Sequence, residues 1–336
     1  MAKLDAICLG EALIDFVSTR PVASVAEAPA FVPAPGGSPA NCAVALARLG
    51  VRTGFVGRVG GDPFGRLLAS TFAENGVDTS HLAFDSEART ALAFVALDAV
   101  GHPDFVFFRH PSADMRLRPE EIQPAYIAGA RAFHTGSIIL SAEPSRSAAI
   151  AGLRHAREAG LLVSLDPNVR MSLWPSVEEL RRVIFPLLPL CDVVKLSEED
   201  LGILIGVTDP DSGSARLREL GARLVVVTRG KDGCFCRTSR GCAVVEGFAV
   251  PVVDTTGAGD SFVGGLIAGL LVSDATGASL DAIEPSALRP VLRLANAVGA
   301  LTSTVRGAIP ALPTREVVRQ FLIQQGEVAA AGLLAK

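Results

Sequence analysis

No stretch of this chain carries the roughly 18 to 20 consecutive uncharged apolar residues that a membrane-spanning helix requires. The N-terminus, MAKLDAICLGEALIDF, places Asp5 and Glu11 inside its apolar part, which spoils it as the hydrophobic region of a signal peptide. The chain therefore reads as cytoplasmic. Runs of one charge are missing too: 31 Lys and Arg are scattered over 336 residues against 35 Asp and Glu, a net charge of -4, so no basic stripe for nucleic acid is expected. A small-molecule partner is the default. The six cysteines, at positions 8, 42, 191, 234, 236 and 242, form no C-x-x-C pair and no metal-like spacing with histidine, and the five histidines include no H-E-x-x-H. Cys234 and Cys236 fall on alternate residues of one expected strand, with Cys242 beyond a turn, so reduced thiols are expected there rather than a structural zinc.

What is present in quantity is apolar surface: 49% of residues are hydrophobic and only 20% charged, ample for a large core. Short apolar runs alternate with helical patterns, AICLG, NCAVALARLG, TGFVGRVG and FGRLLASTFAENG early, then AAIAGLRHAREAG, LLVSLDPN, CDVVKLSEEDL and ARLVVVTRG. Helices that end at glycine and give way to β-branched runs indicate repeated β-α units, with a mostly parallel sheet between helix layers. Two pieces break that rhythm, near 12–35 and 89–110, where strands and turns follow each other without a helix. They are expected to form a small β-structure at the sheet's edge, a lid that would keep water from a reaction site. The part after Gly257 reads as helical, with SALRPVLRLANAVGALTSTV the longest periodic segment. With no linker and no internal repeat, a single domain over 1–336 is expected.

Two familiar glycine loops fail here. A Walker A loop needs G-x-x-x-x-G-K-[ST], and VTRGKDG lacks the first glycine and the hydroxyl residue; a Rossmann fingerprint needs a third glycine that G-A-G-D-S-F does not have. The stretch DTTGAGDSFVGG, residues 254–265, nevertheless sets Gly257, Ala258 and Gly259 in a tight turn before an apolar run. Its glycines let backbone amides approach a phosphate, and Asp260 then stands at a helix start, where the dipole favours negative charge. A carboxylate so placed can take a proton from a hydroxyl as that oxygen attacks a γ-phosphate, while the amides offset charge on the transferred group. The same residues also fit an aspartate near a helix cap, with the glycines serving only the turn.

The stretch GGSPANCAVALARLG (36–50), with GRVGGDPFG after it, and DTTGAGDSFVGGL (254–266) resemble the two signatures of the PfkB, or ribokinase-like, carbohydrate kinases, in the same order. The resemblance covers essentially the whole chain. It implies ATP-dependent phosphorylation of a sugar-like alcohol on a three-layer α/β/α core, with a mostly parallel central sheet and a small β-sheet lid. Asp260 would be the general base and the turn of Gly257, Ala258 and Gly259 the anion hole. Asp15, in GEALIDF, matches the family's substrate-binding aspartate, and Gly36, Gly37 and Asn41 match the part of the first signature that lines the sugar pocket. Lys195, Ser197 and Glu198 match the family's N-x-x-E region, with lysine in the usual asparagine position; Glu198 would act on the Mg2+ side through water. Thr228, Arg229, Gly230 and Gly233 match the turn flanking the ATP phosphates and ribose. Asn296 lies where the family's helices wall the adenine, or else packs as an ordinary helix residue. Asp254, the Thr256 carbonyl and the Gly307 region match the ligands of a monovalent cation, which implies activation by K+. Dimers occur in this family, and a homodimer would form through the lid edges.

Within the family, FVFFRHPSADMRL (105–117), FHTGSIIL (133–140) and DPNVRMSLWPS (166–176) resemble fructokinase segments. Arg109 and Arg170 are then candidate pocket residues, because a guanidinium fork can hold a pair of hydroxyls or a phosphate oxygen. A surface ion pair is the plainer reading of Arg170. 2-Keto-3-deoxygluconate kinases share the GE-x-x-D start, the lid arginine and the D-x-N-x-R-x-x-L-W run, but their substrate's carboxylate needs extra cationic or tyrosine donors. This chain has one tyrosine, Tyr126, outside the lid, and Phe107 and Phe108 cannot donate. The resemblance thus implies phosphorylation of D-fructose to fructose 6-phosphate, with 2-keto-3-deoxygluconate kinase as the alternative. A non-catalytic sugar-binding homologue is a third reading, since fold does not establish activity.

Overall fold

The structure, a computed structural model, describes residues 4–98, 103–275, 277 and 279–335; residues 99–102 of the expected lid lie outside the described residues. Its strands, in chain order, are β1 (Ala6–Leu9), β2 (Leu13–Ser18), β3 (Phe31–Gly36), β4 (Thr53–Gly60), β5 (Asp78–Asp85), β6 (Ala91–Leu97), β7 (Pro103–Phe108), β8 (Ala132–Gly136), β9 (Leu162–Asp166), β10 (Val193–Ser197), β11 (Leu224–Thr228), β12 (Cys234–Thr238) and β13 (Gly241–Val245). Nine of them form one sheet in the order β13-β12-β11-β10-β9-β8-β1-β4-β5. All its pairings are parallel except those that add the hairpin β12–β13 at one edge.

Alternate residues of these strands feed two cores, one on each face. Ala6 and Cys8 of β1 face a core that includes helices Ser38–Arg48, Ala258–Val272, Arg289–Thr302 and Arg315–Gln324, whereas Ile7 and Leu9 face one built on Ser145–Glu158, Val177–Ile184, Glu198–Ile205 and Pro210–Glu219. Leu224 and Val226 of β11 divide from Val225 and Val227 in the same way. Strands buried on both faces carry unbroken apolar runs, and that is why no period of two marks them in the sequence. The result is the three-layer α/β/α core.

The remaining strands make a second sheet in the order β3-β2-β6-β7. It draws on both segments that broke the helical rhythm, joined in the first by one short turn of 3-10 helix, Val25–Glu27. One of its faces is lined by Leu13, Ala91, Ala93 and Phe107, with Asp15 between Ala34 and Ala93. Small side chains on either flank leave the carboxylate room. The other face is aromatic: Phe16 stacks on Phe94 at 4.9 Å and meets Phe64 of helix Pro63–Glu74 edge-on at 5.8 Å, which fastens this sheet to the core.

The longest periodic segment does not hold the longest helix. Arg289–Thr302 spans 14 residues, whereas Ala258–Val272 spans 15, with every residue from Asp260 to Leu271 buried. A helix enclosed on all sides has no polar face and so shows no period. Its neighbours come very close: a Cβ on Gly264 would lie 2.8 Å from the Ala45 Cβ, and one on Gly265 would lie 2.9 Å from the Ala295 Cα. Glycine at both positions lets three helices meet. Gly265→Leu is therefore expected to lower unfolding free energy by about 1 to 3 kcal/mol or more through overpacking, read as a lower urea midpoint; an unchanged midpoint would contradict this account.

Candidate active site

In a parallel sheet the loops at the carboxyl ends of the strands gather at one edge, and a crevice opens where the strand order reverses. Here the chain builds outward from β1 through β4 to β5, then returns to the other side of β1 with β8, β9, β10 and β11. Glu11 follows β1, Asp166 ends β9, Lys195 lies within β10, and Thr228 ends β11. The reversal thus gathers chemistry from segments far apart in sequence.

Asp260 lies in the first turn of helix Ala258–Val272, after Gly257, whose φ of 78° is a left-handed turn that glycine adopts without strain. Its carboxylate accepts from Ser38 Oγ at 2.7 Å and Asn168 Nδ2 at 3.3 Å on Oδ1, and from Asn41 Nδ2 at 2.8 Å on Oδ2. Two residues from the start of the first signature, and the DPN turn after β9, therefore converge on this one group. The buried Asn41 Oδ1 has no hydrogen-bond partner among the described residues. Such an orphaned acceptor fits a ligand hydroxyl as its missing donor.

Asp15 faces this group from the small sheet. Gly36 is pressed against it, since a Cβ there would stand 2.0 Å from Asp15 Oδ2, and Gly37, at φ 106°, would carry its Cβ 2.6 Å from the Glu11 carbonyl oxygen. Burial pushes the Asp15 carboxyl up to about 7, the charge of Asp260 adding to the shift and Arg170 opposing it. Arg170 lies with its guanidinium carbon 4.9 Å from the centroid of the Phe105 ring, a cation–π contact between core and small sheet. Arg109 differs from expectation. It is 1% exposed, its Nε donates to Asp114 at 3.0 Å and its Nη1 to Ser141 at 3.3 Å, so its fork braces the 109–114 turn instead of standing free. A buried guanidinium needs such partners.

Lys195 provides the positive charge. It is buried, pairs with Asp166 at 2.9 Å, and its Nζ would lie 2.9 Å from a Cβ on Gly259, immediately beside the glycine turn. Burial pulls the ammonium down, but Asp166, Asp200 and Asp260 hold it above its ordinary value. Burial likewise raises Asp166 to about 6 against the pull of Lys195. His134, buried near the same lysine, is pushed down to about 3 and is neutral. A helix start, a glycine turn and a fixed ammonium form an anion site.

Further out, Glu198 opens helix Glu198–Ile205 and pairs with Arg229 at 3.0 Å, tying the ends of β10 and β11 together. Arg229 N donates to Gly233 O at 2.8 Å, closing the turn that holds Gly230 next to Thr228. Asn296 donates to Glu246 O at 2.9 Å and so pins the backbone after β13. On the other flank Asp254 accepts from Thr256 N at 2.9 Å and from Gly307 N at 2.8 Å, which brings 254–257 and the Gly307 turn together.

The pattern of the pfkB family carbohydrate kinases matches residues 3–315. The chain belongs to that family. Among relatives of the pfkB chain, a probable fructokinase-4 from Arabidopsis thaliana is 48% identical over 318 residues, covering 94% of this chain and 96% of the relative. The fructokinase of Xylella fastidiosa with bound ATP superposes with a TM-score of 0.87 at 38% identity, covering 96% and 99% of the two chains. A fructokinase double mutant from Vibrio cholerae O395, in a form with fructose, ADP and potassium ion bound, gives 0.84 at 36% identity over 95% and 98%.

Ser38 and Asn168 of this pfkB kinase escaped sequence reasoning as site residues. Ser38 sits inside the quoted first signature, but a serine at the first helical position reads as a helix-start residue. Asn168 adopts φ 38°, a left-handed conformation uncommon outside glycine, and this turns its amide toward Asp260. Only its DPN context hinted at a turn.

The raised carboxyls make stability pH-dependent. A carboxyl whose folded value exceeds its unfolded one binds more protons when folded, so stability falls as pH rises from about 4 to about 7 for Asp15, and Glu11, pushed up to about 8 by burial, acts the same way. Asp15→Asn should therefore stabilise the protein at pH 8 by about 1 kcal/mol or more. Urea unfolding at pH 5 and pH 8 checks this, and equal stability of variant and parent at pH 8 would refute it.

Proposed function

We propose that this pfkB kinase phosphorylates D-fructose at O6 with ATP, giving fructose 6-phosphate. The observation that carries the reading is the Asp260 carboxylate at a helix start, held by Ser38 and Asn41 from the first signature and facing Asp15 of the small sheet. Identity of 48% to a probable fructokinase over nearly the whole chain supports the choice of sugar. Asp15, Gly36, Gly37 and Asn41 hold the sugar, with Arg170 at its outer side; Arg109 shapes the pocket from behind. The sugar hydroxyl passes its proton to Asp260 as its oxygen forms a bond to the γ-phosphorus; the bond to the bridging oxygen breaks and ADP leaves with the electron pair. The turn of Gly257, Ala258 and Gly259 offers amides to the transferred group, the Ala258 N–H leaving its turn bond to Thr255 O at 3.1 Å to do so, and Lys195 adds a fixed positive charge.

Thr228, Arg229, Gly230 and Gly233 hold the nucleotide's phosphates and ribose, and Asn296, by fixing residues 245 and 246, shapes the adenine wall. Mg2+ accompanying ATP would offset phosphate charge, with Glu198 reaching it through water. Asp254, the Thr256 carbonyl and Gly307 would hold K+ beside the anion hole; the carboxylate and carbonyl oxygens suit such a hard cation, and the observed Asp254–Gly307 bond already joins the two loops. The small sheet serves as the lid. Its outer strands β3 and β7 offer edges for a homodimer, with Val106 and Phe108 of β7 exposed on the face that carries Phe94 and Val32 of β3 exposed on the face that carries Asp15. A cytoplasmic location is part of this proposal, since ATP as co-substrate is plentiful there.

One observation favours 2-keto-3-deoxygluconate as an alternative acceptor: Arg170 sits over Phe105 at the pocket, where a substrate carboxylate could meet it. Against it, Tyr126, the single tyrosine, stacks on His81 at 3.8 Å beside β5 and offers the pocket no hydroxyl. ADP release with Mg2+ and K+ present should be clearly faster with D-fructose than with 2-keto-3-deoxygluconate, and should drop when K+ is replaced by a large organic cation; preference for the keto acid would overturn the assignment. Asp260→Asn should lower kcat by several orders of magnitude with little change in sugar affinity. A variant retaining more than about a tenth of the rate would remove Asp260 as base and reopen the reading of a non-catalytic sugar-binding homologue.

A further inference from the structure

Asp260 accepts three hydrogen bonds from the protein itself, and a carboxylate offers about four acceptor positions. Ser38 Oγ at 2.7 Å and Asn168 Nδ2 at 3.3 Å both fall on Oδ1, whereas Oδ2 receives only Asn41 Nδ2 at 2.8 Å. Oδ1 is filled and Oδ2 keeps one position open. We propose that Ser38 is a positioning residue for phosphoryl transfer: its hydroxyl saturates and orients Oδ1, so that Oδ2 is the oxygen that takes the proton of the attacking sugar hydroxyl, and Glu11 holds Ser38 in place. This rests on Asp260 being the general base.

The geometry that supports it is a clamp. Ser38 and Asn41 stand three residues apart on helix Ser38–Arg48 and so share one face, from which each grips a different oxygen of the same carboxylate. Of the two bonds on Oδ1, the one from Ser38 is the shorter by 0.6 Å (3.3 less 2.7), so it fixes the plane of the group. Ser38 is the first residue of its helix, and its N–H has no intrahelical acceptor. Glu11 Oε1 accepts that N–H at 3.1 Å. Glu11 is fully buried, and its Oε2 has no hydrogen-bond partner among the described residues. A buried acid near neutrality is better suited to supplying an acceptor oxygen than a charge, which agrees with burial raising it to about 8. During transfer the sugar O–H bond breaks and its proton moves to Oδ2, the sugar oxygen bonds to the γ-phosphorus, and ADP departs with the electrons of the broken P–O bond.

The test separates kcat from KM. Ser38→Ala should lower kcat by about 10- to 100-fold while the KM values for fructose and ATP stay within about threefold, because the hydroxyl orients the base and does not bind substrate. Ser38→Thr, which restores a hydroxyl, should recover most of that loss. Glu11→Ala should resemble Ser38→Ala, and Glu11→Gln, which keeps an acceptor for the Ser38 N–H, should recover what Glu11→Ala loses; this second pair carries the comparison if Ser38→Ala does not fold. A wild-type kcat for Ser38→Ala, or a raised fructose KM at unchanged kcat, overturns the proposal. Asp260→Asn measured alongside keeps the two ideas apart: if it is inert while Ser38→Ala is fully active, only the positioning role falls, whereas an active Asp260→Asn removes the base assignment itself.

Discussion

Acidic groups buried together at the carboxyl edge of the large sheet dominate this structure, and most of the local architecture serves to make their burial tolerable. An unpaired charge in a protein interior is so costly that it must be bonded, paired or neutralised. Each outcome occurs here. Asp260 is bonded by three side-chain donors, Asp166 is paired with Lys195, and burial raises the proton affinity of Glu11 and Asp15, so that the proton is held far more readily than by an exposed carboxylate, most of all by Glu11. Neutral His134 next to Lys195 completes the pattern, since a second cation there would compete with the first.

Rigidity follows from the same arrangement. The helix that carries Asp260 is enclosed on every side and meets its neighbours through glycine at Gly264 and Gly265. Little can shift without a clash, so Asp260 is held by close packing of the core helices, while Asp15 and Phe105 belong to a separate sheet joined to the core by aromatic contacts and a cation–π pair. The fixed half and the attached half of the site are thus built by different means.

Much of this was legible in the sequence, for particular reasons. The alternation of short apolar runs and glycine-terminated helices directly reflects parallel β-α units, and the two stretches without helices became the small sheet. Gly257, Gly259 and Asp260 stood out because glycine beside a carboxylate at a helix start has few purposes. Side-chain partnerships were not legible. That Arg109 is occupied by Asp114, that Asn296 holds the backbone at residue 246, and that Ser38 and Asn168 reach Asp260 all depend on how separate segments meet, which local pattern does not encode. Full burial also erased the period of helix Ala258–Val272, so its length and centrality were hidden behind a neighbour with a polar face.

The bonds from Ser38 and Asn41 to Asp260 span 222 and 219 residues. Contacts of such separation form only after the intervening chain has collapsed, because loop closure must precede them. During synthesis the first signature emerges long before the residue it clamps, and through that interval Glu11 and Asp15 belong to an unfinished interior. The chemical centre is therefore among the last features to mature. A nascent or partly unfolded chain lacks the clamped carboxylate, so this arrangement arrives only with the completed fold.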